Sequence, residues 1–109
     1  MTRDEVTAAV AVSEKVSREL DDDYVGLWVV PWHLRRALPN ASDTTVRELA
    51  ESILRALVGE DVVLGDLDGD TGEFLPWDVA DPVATAVAEW ALLGRDPNIG
   101  EVAWLARTD

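Results

Sequence analysis

Ser42-Asp43-Thr44-Thr45-Val46-Arg47-Glu48-Leu49-Ala50-Glu51-Ser52-Ile53-Leu54-Arg55-Ala56-Leu57-Val58-Gly59 is the clearest element of the chain, and the run after it, Val62-Val63-Leu64, has a different period. Val46, Leu49, Ala50, Ile53, Leu54 and Leu57 recur at the i, i+3, i+4, i+7 spacing that puts one apolar stripe on a helix. Ser42 or Thr45 can cap it, Thr45 and Glu48 match a capping box, and Gly59 suits a left-handed stop. Arg47, Glu51 and Arg55 are spaced four apart, so their charges can pair along the polar face. The three apolar residues at 62–64 read instead as a short buried strand.

Working toward the C-terminus, Gly65 to Gly72 is a loop of Asp and Gly, and Glu73-Phe74-Leu75 is a second short strand. Asp81-Pro82 is a helix start, a cap followed by a first-turn proline. Val83, Val87, Trp90 and Leu92 or Leu93 give that helix a buried face, and Gly94 ends it. Arg95 to Asn98 is a loop, and residues 100–107 alternate as a strand. Working toward the N-terminus, Pro39-Asn40 stops a short helix at about 31–38 that carries Trp32, His33, Arg35 and Arg36. Tyr24 to Val30 has strand-type residues with weak alternation. Thr2 and Glu5 form a capping box for a helix over about 3–20, and Asp21-Asp22-Asp23 is a solvated turn, because anions disfavour a helix C-terminus.

The chain has 109 residues, 48% of them hydrophobic, enough for one core and one domain over residues 1–109. It contains no cysteine, which excludes disulfides, thiolate catalysis and zinc–cysteine sites and fits a reducing compartment. Met1-Thr2-Arg3-Asp4-Glu5 lacks the cationic start and apolar core of a secretion signal, and no apolar run reaches the roughly 20 residues of a membrane span. The expectation is a cytoplasmic protein with no membrane partner. One lysine against eight arginines, with abundant Ala, Val, Asp and Gly, points to a GC-rich bacterial genome.

Twenty-two acids against nine bases give a net charge of −13. Residues 61–82 alone hold seven acids and no base. Such a surface repels phosphate backbones and attracts basic partners.

Three helices followed by a hairpin with a polar tip, over about residues 3–75, resemble a winged-helix domain. The fold class expected is therefore α+β, winged-helix-like in order, with an added C-terminal helix and strand. The tail, Trp90-x-x-x-Gly94-Arg95-x-Pro97-x-x-Gly100-Glu101-x-x-Trp104, is similar to that of short bacterial proteins with no assigned role. The winged-helix resemblance implies a recognition helix at 43–58 and a wing at 65–72. Those elements normally bring positive charge to phosphates, whereas this wing carries Asp66, Asp68 and Asp70 and no base. At a Debye length of about 8 Å those charges act directly on any DNA they touch, which argues against nucleic acid.

Asp66-x-Asp68-x-Asp70 also resembles a calcium loop. Counted from Asp66, however, the glycine falls one place late at Gly72, and position 12 is Trp77 instead of a bidentate Glu. A solvated hairpin turn is the plainer reading. His33, the one histidine, reads as a surface residue beside Arg35 and Arg36, with no accompanying catalytic motif. Acid pairs of glycosidase type arise by chance among 22 acids. Of the five tryptophans, Trp90 and Trp104 fit core packing by periodicity, while Trp77, after Pro76 at the edge of the acidic hairpin, fits a core role and a contact role equally.

The sequence thus leads to a non-catalytic, cofactor-free protein-binding domain. Asp66, Asp68, Asp70 and Glu73 meet a basic protein partner and Trp77 anchors it, as in an immunity-type inhibitor or a subunit of a complex. The alternatives are a winged-helix transcription-type factor acting as a homodimer or with a partner, and a calcium-responsive module.

Overall fold

The computed structural model describes residues 1–108. Helix α1 spans Arg3–Leu20, strand β1 Val25–Gly26, helix α2 Val29–Ala37, helix α3 Asp43–Val58, strand β2 Val62–Leu67, strand β3 Phe74–Pro76, helix α4 Pro82–Leu93 and strand β4 Trp104–Arg107. The fold is α+β, with four helices and a four-stranded antiparallel sheet in the order β1-β4-β2-β3. The last strand in sequence is therefore a central one. No helix is long and apolar enough to cross a membrane.

The helix starts follow from local chemistry. Thr2 Oγ1 accepts the Glu5 N–H and the Glu5 carboxylate accepts the Thr2 N–H, so the capping box of α1 is complete. Ser42 caps α3 by accepting the Thr45 N–H at 3.1 Å, which leaves Thr45 inside the helix. Asp81 accepts the Ala84 N–H at 3.0 Å, with Pro82 in the first turn of α4.

Several expectations need correction. Gly59 ends α3 with a right-handed φ of −69°, and the left-handed residue there is Asp61 at φ 76°. Helix α2 begins at Val29, two residues before Pro31, and the ambiguous stretch before it divides into a two-residue strand and the lead-in to the helix. Pro31 is tolerated there because first-turn amides have no intrahelical acceptor. Strand β2 runs on to Leu67, where a loop was expected from Gly65. The last strand starts only at Trp104, since Gly100 (φ 84°) and Val102 (φ 68°) turn the chain first.

One face of the sheet meets the helices. Val62 and Leu64 of β2, Leu105 of β4 opposite Leu64, and Val25 of β1 opposite Leu105 are all buried. They pack with Val12, Val16 and Leu20 of α1, the whole apolar stripe of α3, and Val83, Ala86 and Trp90 of α4. Trp90, 1% exposed, is the largest fully buried side chain. Leu92 is 88% exposed, so the α4 face closes through Ala86 rather than Leu92. Arg107 ties β4 across the molecule: it donates to the Ser17 carbonyl at 2.7 Å and pairs with Asp61 at 2.9 Å and Asp21 at 3.1 Å.

The other face of the sheet carries the alternate residues of the same strands. Gly26, Trp104, Gly65 and Pro76 form one row across all four strands there. Trp104 is therefore not a residue of the helix-side core, where Ala103 and Leu105 sit instead. A Cβ at Gly65 would clash with the Leu75 carbonyl oxygen and lie 2.8 Å from Phe74 Cζ, and one at Gly26 would lie 2.6 Å from Trp28 Cδ1. Glycine at both positions lets an aromatic ring lie directly on the backbone, and the rings of Phe74 and Tyr24 meet at 5.5 Å.

Candidate partner-binding surface

The acidic hairpin is built by its own carboxylates. Asp68 follows the end of β2, and its Oδ1 accepts the N–H groups of Asp70 at 2.8 Å and Thr71 at 3.0 Å. These bonds, Thr71's first, hold the Asp68 carboxyl below its ordinary pKa. The Asp68 amide and carbonyl bond Glu73 O and Gly72 N, closing the loop. Asp66, on the helix-side face of β2, accepts the Trp77 indole N–H at 3.0 Å. Trp77 is half-buried and packs against the core.

The remaining acids of residues 61–82 divide in two. Asp61 pairs with Arg107 at 2.9 Å. Asp81 caps α4 and pairs with Arg55 at 3.4 Å, and the Ala84 N–H and then Arg55 lower its pKa. Asp70, Glu73 and Asp78 are exposed, and their carboxylates have no hydrogen-bond or ion-pair partner among the described residues. The hairpin thus brings Asp66 together with Trp77, turns Asp68 into its own loop, and leaves Asp70 and Glu73 to solvent with Asp78, which the sequence reading did not single out. No group of three or more acidic or histidine side chains among the described residues is arranged to hold a metal ion.

His33 does not lie on the open surface. Its side chain is 13% exposed, it meets the Trp32 ring edge-on at 5.1 Å, and its Nε2 lies 3.5 Å from the Glu19 carboxylate. α2 starts earlier than expected, and its inward face carries Val30 and Leu34, one turn apart, with His33 beside them.

Two further surfaces were not singled out by the sequence reading. An open groove of about 540 Å³ lies between α1 and α3, lined by Ala9, Val10, Ser13, Ser17, Ala56 and Leu57 among others. The second, of about 390 Å³, lies beside β1, where Tyr24, Trp28, Trp104 and Ile99 meet Asp22 and Asp23. The signal for it was the period-2 spacing of Tyr24, Gly26 and Trp28 together with that of Trp104 and Ala106. Alternation identifies two faces of a strand but not which of them the helices cover.

Comparison with protein-family models, curated proteins and solved structures finds no match to this chain.

Proposed function

We propose that this chain is a non-catalytic protein-binding domain that engages a basic protein partner through its acidic hairpin. One observation carries the reading. Residues 61–82 hold seven acids and no base, and three of those acids, Asp70, Glu73 and Asp78, are exposed along the hairpin and its exit with no partner among the described residues. Unpaired surface carboxylates of one sign steer a basic surface and select against acidic ones. Asp66 and Asp68 support that surface by holding Trp77 and the turn, and Trp77 offers its remaining exposed edge. An immunity-type inhibitor of a basic toxin and an acidic subunit of a complex are the two forms this takes. The order α1-β1-α2-α3-β2-β3 is part of the reading as winged-helix-like, with α4 and β4 added, and the setting proposed is the cytoplasm.

The test is capture from lysate with the native chain and with Asp70→Asn/Glu73→Gln/Asp78→Asn, which leaves the turn-forming Asp68 intact. The expected result is a basic protein held by the native chain, released by salt and absent from the triple variant. Identical catches would overturn the hairpin as the site.

A further inference from the structure

Glu19, Asp21, Asp22 and Asp23 crowd the C-terminal end of a helix, where the backbone dipole is already negative. Asp21 has Arg107 at 3.1 Å and Glu19 has His33 at 3.5 Å. Asp23 accepts only the N–H of Tyr24, at 2.7 Å, and neither Asp22 nor Asp23 has an ion pair among the described residues, although Lys15 and Arg18 share a hollow with Asp22 and Arg107 shares one with both acids and Tyr24. A local conflict of this kind marks places where a sequence serves something other than its own stability.

These acids border the aromatic groove beside β1. Glu19, Asp22, Asp23, Tyr24, Trp28, Trp104 and Ile99 line it, and no basic side chain does. The Trp28 indole fills the space a side chain at position 26 would take, and Trp104 Cζ3 lies 3.5 Å from the same point. Neither indole N–H has a partner among the described residues, whereas that of Trp77 is bonded. The loop that presents Ile99, 71% exposed, is pinned on both sides. Asp96 accepts from Arg35 at 2.6 Å, and Glu101 accepts from Arg95 at 2.6 Å and from the Asn98 N–H at 2.7 Å. The groove is therefore held in shape before anything binds.

From these features we infer that the groove binds an extended, proline-containing peptide segment bearing an arginine or lysine. The prolines lie on Trp28, Trp104 and Ile99. The peptide carbonyls accept the two free indole N–H groups, and the cation sits between the Tyr24 ring and the carboxylates of Asp22 and Asp23. A polyproline-II segment has no internal hydrogen bonds and a preformed shape, so its carbonyls are free for such donors. An aromatic ring beside carboxylates attracts a cation both through the ring quadrupole and by ion pairing. The site is separate from the acids of the hairpin and does not depend on the hairpin reading.

The probe is a pool of acetylated, amidated decapeptides with one arginine followed by Pro-x-x-Pro, titrated while the tryptophan indole N–H resonances are followed. Saturable shifts of the Trp28 and Trp104 signals, with that of buried Trp90 unmoved, are expected. Replacing the peptide arginine by glutamine, or making Asp22→Asn/Asp23→Asn, should weaken binding about 5-fold. Trp28→Leu should weaken it about 30-fold, the scale of an interface hot spot. Ile99→Ala, at an exposed position that threatens no packing, should also weaken binding and carries the test if Trp28→Leu does not fold. Asp70→Asn/Glu73→Gln/Asp78→Asn should bind the pool like the native chain. The inference is overturned if neither indole shifts at millimolar peptide, if the glutamine pool binds equally, or if both groove variants fold and bind normally. Saturable binding of oligo(dT) or a cello-oligosaccharide in place of the peptides would also overturn it.

Discussion

The two acidic regions of this molecule use their charge in opposite ways. In residues 61–82, four of seven carboxylates have structural work: Asp61 and Asp81 pair with arginines, Asp66 holds an indole and Asp68 folds a turn. At the end of α1, Asp22 and Asp23 stand against their own helix dipole and form no ion pair among the described residues, although Lys15, Arg18 and Arg107 lie nearby. The larger charge density in the sequence is thus the more self-contained of the two. Density alone does not mark a binding site; the carboxylates without internal duties do.

This contrast can be broken in several ways, the largest effect first. Trp77→Ala removes a largely covered ring; with roughly 200 Å² buried by a fully covered one, the loss is about 3–4 kcal/mol at ~25 cal/mol per Å². Urea unfolding should show that loss; unchanged stability would mean that Trp77 is a free contact residue and that the hairpin is not self-contained. Asp68→Ala should lower the melting temperature, because two amides lose their acceptor, whereas Asp70→Ala should leave it nearly unchanged. Equal effects would remove the distinction between working and unpartnered acids.

The loop at 95–101 gives a pH test. Bonds from Arg95 first, and then from the Asn98 amide, lower the Glu101 carboxyl to about 2. A depressed folded-state pKa contributes stability above the ordinary carboxylate range that is lost as pH falls through the folded value. The destabilisation caused by Glu101→Gln should therefore be complete above about pH 4.5, shrink below it, and vanish near pH 2. A difference independent of pH would show that the ion pair does not hold the loop. The smallest effect has the opposite sign: Asp22→Asn should stabilise the fold by about 0.3–1 kcal/mol, since it removes an anion from a helix C-terminus. Destabilisation would show that Asp22 has a structural partner after all.

Much of the fold was legible because its signals are local. The caps Thr2, Ser42 and Asp81 and the stripe Val46 to Leu57 depend on residues within a turn or two of each other. What was not legible depends on pairing. That Trp104–Arg107 slots between β1 and β2 is a long-range fact, and it alone decides that Trp104 faces away from the helices. The same placement creates the aromatic face, which no local pattern distinguishes from a core. The site residues were readable as a charge run, but the separate duties of Asp66, Asp68 and Asp70 depend on hydrogen-bond directions that composition does not contain.

Titration of the protein with a hexa-arginine peptide, followed through the side-chain carboxyl resonances, tests the central claim most directly. The account predicts that Asp22, Asp23, Asp70, Glu73 and Asp78 shift saturably while Asp61, Asp66, Asp68 and Asp81 stay still. Shifts spread over all of these acids in proportion to their exposure would contradict it, and the charge of this chain would then be solvation alone.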